Sequence, residues 1–553
     1  YLGEIHQGNY DQAYLINLAD NVFPSVLGRV CSRPCEEVCR HGRDGLGEPV
    51  AICFSKRAAG DLGLGKLIVL QPLFPSSGKT VAIIGGGPAG LTTARELALF
   101  GHKVIVLERH SEPGGVMNQG IPAFRLPRPI VKKEIEQIRR LGVDIHCNQA
   151  IGTGNSVEEL LGSHDAVVIA TGTPEPTLLE LPGKDLEGIR HGLEFLFETN
   201  TLGRSDIGHR VAVIGGGFTA MDCARAAVRL GSVSTIYCRR SRKEMLISND
   251  EIKALDDEEI QLQTMVELVS YHKSGAGAAE AIRFIYNSLD EPDLNGRPYP
   301  APVSGSEFGI DVDTVLLATG ESQDTTWLDA SLEPHVLNEA GRVRDGTPIT
   351  TSYPGLFLAG DYAIGASTLI NAIGHAKRCA RAVDAYLMGE TRWMEVAHIN
   401  SVYETGRTPS MDVVQRQPMQ KIPVQKRTLK GEVEMGYTPA QANVEAMRCY
   451  LCHYKFEIDN DACIYCNRCL DAKPHENCIV PIDALHTDDE GRITGYSNAA
   501  DPTPGHYKLL YIDQDECTRC GRCEKVCPVD CISIQKVTWN VERTCDVHKK
   551  AVR

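Results

Sequence analysis

The stretch KTVAIIGGGPAGLTTARELALFGHKVIVLE, residues 79–108, decides the fold. A short β-branched run, Val81 to Ile84, has the length and composition of a buried parallel strand. Gly85, Gly87 and Gly90 follow it on the G-x-G-x-x-G spacing, and a helix and a second strand complete the unit. The first glycine permits a sharp turn, and the second lets the backbone approach a pyrophosphate. The third lets the helix lie close on the strand, while the free N–H groups of the helix N-terminus face the phosphate charge. Glu108, at the end of the second strand, is placed to hold the ribose hydroxyls of an adenosine. A bare glycine triplet is a weak signal, but strand, glycines, helix, strand and terminal acid in register make a strong one.

The architecture repeats downstream in RVAVIGGGFTAMDCARAAVRLG, residues 210–231, where Gly215, Gly217 and Ala220 give G-x-G-x-x-A. Its next strand, STIYC, ends in Arg239 and Arg240 where the first unit has an acid. Two guanidinium groups welcome a 2′-phosphate that a carboxylate would repel, so the pair favours NADPH over NADH. A solvated basic turn is the competing reading. Between the units, HDAVVIATG ends in Gly172, and VDTVLLATG ends in Gly320. Each has the form of a strand and turn handing the chain between two dinucleotide folds. Further on, PGLFLAGDYAIGASTLINAIGHAKRC carries the pair Gly360 and Asp361. This pair resembles the late G-D pair of two-dinucleotide flavoproteins, which implies that Asp361 bonds a ribityl chain. A helix starting near Ser367, with Thr368 at its head, would turn its positive N-terminus toward a flavin pyrimidine ring. The first fold is therefore expected to hold FAD and the second NADPH.

The chain of 553 residues is too long for one core, at roughly 150 residues per domain. Its net charge of −15 argues against nucleic acid as a partner and suits docking to a basic patch on another protein. No signal peptide and no run of about 18 uncharged apolar residues is visible, so a cytoplasmic protein without a membrane span is expected. The opening, YLGEIHQGNYDQAY, reads like the inside of a helical domain, and the true N-terminus is expected upstream of it.

Sixteen of the 20 cysteines are clustered toward the two ends, as for metal or iron–sulfur sites in a reducing compartment, and four are scattered singly between them. CTRCGRCEKVCP places Cys517, Cys520, Cys523 and Cys527 on the C-x2-C-x2-C-x3-C-P run of bacterial ferredoxins. CIYCNRC adds Cys463, Cys466 and Cys469, with Cys478 beyond. Three thiolates two residues apart cap three corners of a cubane, and two-cluster ferredoxins exchange the fourth ligand between halves. Cys463, Cys466, Cys469 and Cys527 are thus assigned to one 4Fe–4S cluster, and Cys517, Cys520, Cys523 and Cys478 to the other. Zinc fits triple C-x2-C-x2-C runs poorly. Near the start, Cys31, Cys35 and Cys39 on C-x3-C-x3-C can converge, with Cys53 as the nearest spare. There a cluster and a zinc knot or buried thiols remain alternatives. Cys449 and Cys452 are open between a further metal site, with Cys531 or Cys545, and buried thiols.

GNYDQAY, GRVCSRPCEEVCR and EPVAI together resemble the N-terminal iron–sulfur domain of the glutamate synthase small-subunit family, which includes the electron-input half of dihydropyrimidine dehydrogenase. YCRRSRKEM is similar to that family's NADPH loop. GGVMNQGIPAFRLP resembles its loop along the flavin, which implies contacts from Gly114, Gly115 and Arg125. The family also carries cysteines upstream of Tyr1, so the partners of Cys31, Cys35 and Cys39 are not assigned cluster by cluster. The expected fold class is α/β, with two Rossmann-like domains between an N-terminal helical Fe–S domain and a C-terminal α+β ferredoxin-like domain. The boundaries are 1–65 (helical Fe–S), 66–205 (FAD, first part), 206–325 (NADPH), 326–390 (FAD, second part), 391–445 (polar, irregular tether or wrapping arm) and 446–553 (ferredoxin-like).

The expected function is electron transfer from NAD(P)H through FAD to 4Fe–4S clusters, two at the C-terminus and one or more at the N-terminus. From there electrons pass to a catalytic redox subunit or a ferredoxin, in a hetero-oligomeric complex. The chemistry is flavin-centred, so no catalytic side chain is assigned. A non-catalytic relay or assembly subunit and an electron-bifurcating subunit are the alternatives. A thioredoxin-reductase-like disulfide reductase would need a paired thiol beside the flavin, and Cys147, Cys223, Cys238 and Cys379 contain none.

Overall fold

The computed structural model describes residues 1–43, 47–63, 70–177, 179–245, 247–273, 279–292, 298–344 and 349–551. The expected boundary between the helical domain and the first flavin segment, at residues 65 and 66, falls in the stretch 64–69 outside them. Thr80–Ile84 sits at the centre of a five-stranded parallel sheet in the order Leu356–Leu358, Ala166–Ile169, Thr80–Ile84, Lys103–Leu107, Asp144–His146. The late strand Leu356–Leu358 returns to the first fold, as two segments of one domain require. The helix Pro88–Leu99 and the long helix Leu369–Met388 pack on this sheet over one apolar core.

Arg210–Ile214 centres a second parallel sheet, ordered Ile189–His191, Thr314–Leu317, Arg210–Ile214, Val233–Cys238, Gln261–Thr264. Ile189–His191 and the helix Gly192–Leu202 fall within the expected first flavin segment, yet they belong to this second sheet. The parallel pairing of Val315 with Ile189 draws them there, a contact across more than a hundred residues that leaves no local mark. The two crossovers pair with each other, Glu321 against Pro176 and Ser322 against Glu175, in a short antiparallel ribbon between the folds.

Residues before the first fold form helices, including Tyr10–Asn21, Pro24–Val30 and Ile52–Leu62. The helix Pro439–Met447 packs into the same apolar cluster through Ala442 and Ala446. It starts with a capping box, Thr438 with Gln441. The segment expected to be an irregular tether opens with a strand, Trp393–Val402, antiparallel to Ile532–Arg543. Its β-rich sequence, WMEVAHINSV, finds partners only at the far end of the chain. Beyond it the segment wraps: Arg416 bonds Glu36 at 3.0 Å, Glu432 bonds Arg29 at 2.7 Å, and Arg427 bonds Glu258 at 2.6 Å.

The C-terminal domain contains an internal repeat. Tyr454–Ile458, the Cys463 run, a short helix and Ile479–Thr487 are followed by Leu509–Ile512, the Cys517 run, a short helix and Ile532–Arg543. Among the described residues no helix is long and apolar enough to cross a membrane.

Candidate functional site

In the first fold the three glycines meet different surroundings. Gly85 has φ +106°, and a Cβ there would lie 2.5 Å from the Ala170 carbonyl oxygen. A Cβ on Gly90 would lie 1.9 Å from the Gly85 carbonyl oxygen, so this position sets how closely helix and strand approach. At Gly87 the nearest atom to an added Cβ is 3.9 Å away, which leaves the face open to a ligand. The helix that Gly87 begins has no side-chain cap, so its first N–H groups remain available for an anion. Glu108 is buried and accepts from the Gly86 and His110 N–H groups, both at 2.8 Å.

The loop after Glu108 folds back on this turn. Gly114 N–H donates to the Gly86 carbonyl at 2.7 Å, and a Cβ on Gly115 would lie 2.9 Å from Gly87 Cα. Thr171 Oγ1, beside Gly85, and Asn118 Oδ1, in the loop, are buried and have no hydrogen-bond partner. Two orphaned polar atoms around an open glycine face are what a dinucleotide with hydroxyl and phosphate groups would satisfy. Gly172 follows Thr171 at φ +71° with open space beside its Cα.

Gly360 stands at φ +64°, where a Cβ would lie 2.3 Å from Ala89 Cβ, so the late G-D pair packs directly on the first helix. Asp361 accepts from Ser367 Oγ at 2.5 Å, and burial raises its carboxyl above the usual range. Thr368 caps the helix Leu369–Met388 by accepting from Asn371 N–H at 3.4 Å. Glu321 lies just after Gly320, and its carboxyl is raised, first by burial and then by the charge of Asp361; it also bonds Thr219. The turn after the second crossover thus faces both the late acid of the first fold and the helix head of the second.

The second cradle repeats the first. A Cβ on Gly215, at φ +144°, would lie 2.3 Å from the Ala318 carbonyl oxygen, whereas one on Gly217 would meet nothing within 4 Å. Ala220 is fully buried, and the helix from Phe218 again lacks a side-chain cap. Arg239 is exposed and Arg240 half-buried, directly after Val233–Cys238.

Arg125, expected along the flavin, has its guanidinium bonded to both Asp222 carboxylate oxygens at 2.8 Å and to Glu251 at 2.6 Å. It is a clasp between the two folds, which sequence reasoning missed because its partners lie about a hundred residues away. Cys223, Cys238 and Cys379 are buried and Cys147 half-buried, and no disulfide joins any of them.

Cys463, Cys466, Cys469 and Cys527 line one hollow together with Ile458, Leu510 and Ile532. A fifth thiol, Cys531, shares it, with its Sγ 3.4 Å from Cys527 Sγ. Cys478, Cys517, Cys520 and Cys523 are all buried, and Cys478 hydrogen-bonds Cys517 with Cys520 and Cys523 in its surroundings. Each group thus brings three thiols of one half of the repeat together with one thiol of the other. At the N-terminus Cys31 bonds Cys53, and Cys35 lies near Cys31.

The model of the pyridine nucleotide-disulphide oxidoreductase family matches residues 79–387. That of dihydropyrimidine dehydrogenase domain II, a 4Fe–4S cluster domain, matches residues 1–64, and that of the 4Fe–4S binding domain matches residues 510–533. The chain is 35% identical over 498 residues to the beta subunit of an NADP(+)-dependent formate dehydrogenase from Moorella thermoacetica, covering 82% of this chain and 68% of that one. It is 34% identical to the beta subunit of an NADPH-Fe(3+) oxidoreductase from Geobacter sulfurreducens, covering 82% and 73%. It is 32% identical to the small chain of NADPH glutamate synthase from Azospirillum brasilense, covering 69% and 82%.

Proposed function

This chain belongs to the pyridine nucleotide-disulphide oxidoreductase family, and from that premise we propose that it is an electron-transfer subunit carrying electrons from NADPH through FAD to 4Fe–4S clusters. The observation that carries the reading is the coexistence of two open glycine cradles, clasped by Arg125, with two sets of four thiols in a ferredoxin repeat.

Gly85, Gly87, Gly90, Glu108, Gly115, Gly172, Gly360, Asp361 and Thr368 would hold FAD, and Gly215, Gly217, Ala220, Gly320, Arg239 and Arg240 the NADPH. Bound there, the flavin supplies the exchange between a two-electron hydride and two single electrons, since each cluster accepts one at a time. The protein's part is placement. The uncapped helix heads face the pyrophosphates, Glu108 and Asp361 offer acceptors to sugar hydroxyls, and Arg239 and Arg240 offer donors to a 2′-phosphate. Each NADPH oxidised yields NADP⁺, a proton and two electrons. The acceptor we assign is a catalytic redox subunit or a ferredoxin docking at the Cys463 hollow, in a hetero-oligomeric complex. Ile464 and Val529, at its rim, are 60% and 39% exposed, an apolar edge suited to a partner. The cytoplasm is the compartment we assign, because cysteines grouped as ligand sets need reducing conditions.

Anaerobic mixing with NADPH, and separately with NADH, tests the reading. Rapid bleaching of the flavin by NADPH, with NADH slower, is expected. If neither nucleotide bleaches it, the dinucleotide assignment fails and a relay that only passes electrons between partners takes its place.

A further inference from the structure

Cys449 and Cys452 lie outside the residues that the three family models match, yet their local geometry repeats that of the ferredoxin runs. In the C-terminal clusters the first cysteine of each run accepts an N–H from the residue two places on: Tyr465 to Cys463 and Arg519 to Cys517, both at 3.4 Å. Those residues take left-handed φ angles of 54° and 57°, which bend the chain so that the next cysteine faces the same hollow. Leu451 does the same with Cys449, donating at 3.4 Å from φ 52°, with Cys452 next in line. Leucine has no intrinsic reason to adopt that conformation, so the turn is imposed by what surrounds it.

The surroundings identify the partner. Cys449 lies in the electrostatic field of Cys452 and Cys39, and Cys39 and Cys449 pack against one apolar cluster of the helical domain. Tyr450 seals the junction: its ring is 5.1 Å from that of His41, 5.6 Å from the Arg40 guanidinium and 4.9 Å from that of Arg407. Neither Cys531 nor Cys545, the companions entertained from sequence, is needed. Cys31, Cys35 and Cys53 form the neighbouring thiol group, so the C-x3-C-x3-C motif divides after its second cysteine. The junction also reaches the second ferredoxin run. Arg40, next to Cys39, donates to the Cys517 carbonyl at 2.9 Å, and Arg407 donates to the Cys449 carbonyl and, at 3.0 Å, to that of Thr518.

We propose that Cys39, Cys449 and Cys452 together ligate an iron–sulfur cluster assembled across the two ends of the chain, beside the cluster held by Cys517. It joins the N-terminal thiol group to the ferredoxin repeat, which would otherwise be separate redox regions. Single-ion sites are a different arrangement, and among the described residues no three metal-binding side chains close on one.

The test is iron and acid-labile sulfide per chain, with EPR of the dithionite-reduced state, on the full chain assembled anaerobically. The variant carrying Cys449→Ala and Cys452→Ala is expected to lose about four iron and four sulfide atoms relative to wild type. It should retain the signals that Cys466→Ala and Cys520→Ala remove. Full iron and sulfide in the double variant, or loss of zinc in their place, overturns the proposal. Cys39→Ala, which leaves the C-terminal domain intact, must lose the same iron. A full complement there overturns assembly across the two ends even if the double variant does not fold. Flavin bleaching by NADPH, read in the same samples, separates failure of this cluster from failure of the electron-transfer reading.

Discussion

The two dinucleotide folds share a strand, a glycine turn and an uncapped helix, but they end their second strands in opposite charges. In the first, Glu108 is buried and already bonded to the Gly86 N–H, so the acid is part of the turn itself. In the second, Arg239 is exposed on a turn held in place by its own capping box, Ser241 with Glu244. On the proposed reading the first cradle would be a fixed seat for a resident cofactor, and the second would offer donors at its rim to an exchanging nucleotide. One scaffold would then serve both through the chemistry of two or three positions.

The sharpest way to break that comparison is to add one methyl group to each cradle. Gly90→Ala drives a Cβ to 1.9 Å from a backbone oxygen that cannot retreat without moving the first strand. That protein is expected to lack flavin or to be insoluble, as absorbance of the purified chain will show. Gly217→Ala meets nothing within 4 Å, so it should fold with full flavin and fail only in NADPH affinity, measured as a raised KM for flavin reduction.

A smaller effect comes from the charges. Replacing Arg239 and Arg240 with alanine removes donors to a 2′-phosphate, each hydrogen bond to a charged group being worth about 1.5–3 kcal/mol. The KM for NADPH should rise about tenfold to a hundredfold while that for NADH stays within about twofold, since NADH lacks the phosphate. Equal losses for both nucleotides would mean that the arginines support the turn and do not read the ligand.

The smallest effect concerns how the second fold is anchored. Burial of Glu258 opposes its charge, but Arg229 and Arg225 outweigh it and hold the carboxyl at about 2. Arg427 of the wrapping arm bonds the same group at 2.6 Å. A carboxyl depressed in the folded state stabilises fully above its unfolded value, about 4.5, and that contribution fades as pH falls toward about 2. Wild type should therefore exceed Glu258→Gln in urea midpoint at pH 7 and lose the margin progressively below about pH 4.5. A margin independent of pH would assign the effect to packing.

Much of this was readable in advance where the signal is local. The glycine spacings, the late Gly360 and Asp361 pair and the ferredoxin runs are contiguous motifs whose chemistry demands those residue types. The grouping of Cys478 with the Cys517 run and of Cys527 with the Cys463 run follows from three thiolates needing a fourth. What escaped the sequence lies between distant segments. Trp393–Val402 looked irregular because its partner strand begins at Ile532. Arg125 resembled a flavin contact because nothing nearby in the chain predicts Asp222 and Glu251. Cys531 stands outside the regular run, and only the folded repeat puts it in the hollow with Cys527. Cys39 and Cys449 are separated by the whole flavoprotein core, and only the packing of Pro439–Met447 on the helical domain brings them together.

The most direct test of the central claim is rapid anaerobic mixing with NADPH, followed by freezing at successive times and EPR of the iron–sulfur clusters alongside flavin absorbance. Growth of the C-terminal cluster signals as the flavin bleaches, lost in Cys466→Ala and Cys520→Ala, is the predicted result. A flavin bleached by NADPH with no cluster signal, in protein whose clusters dithionite does reduce, would contradict the account.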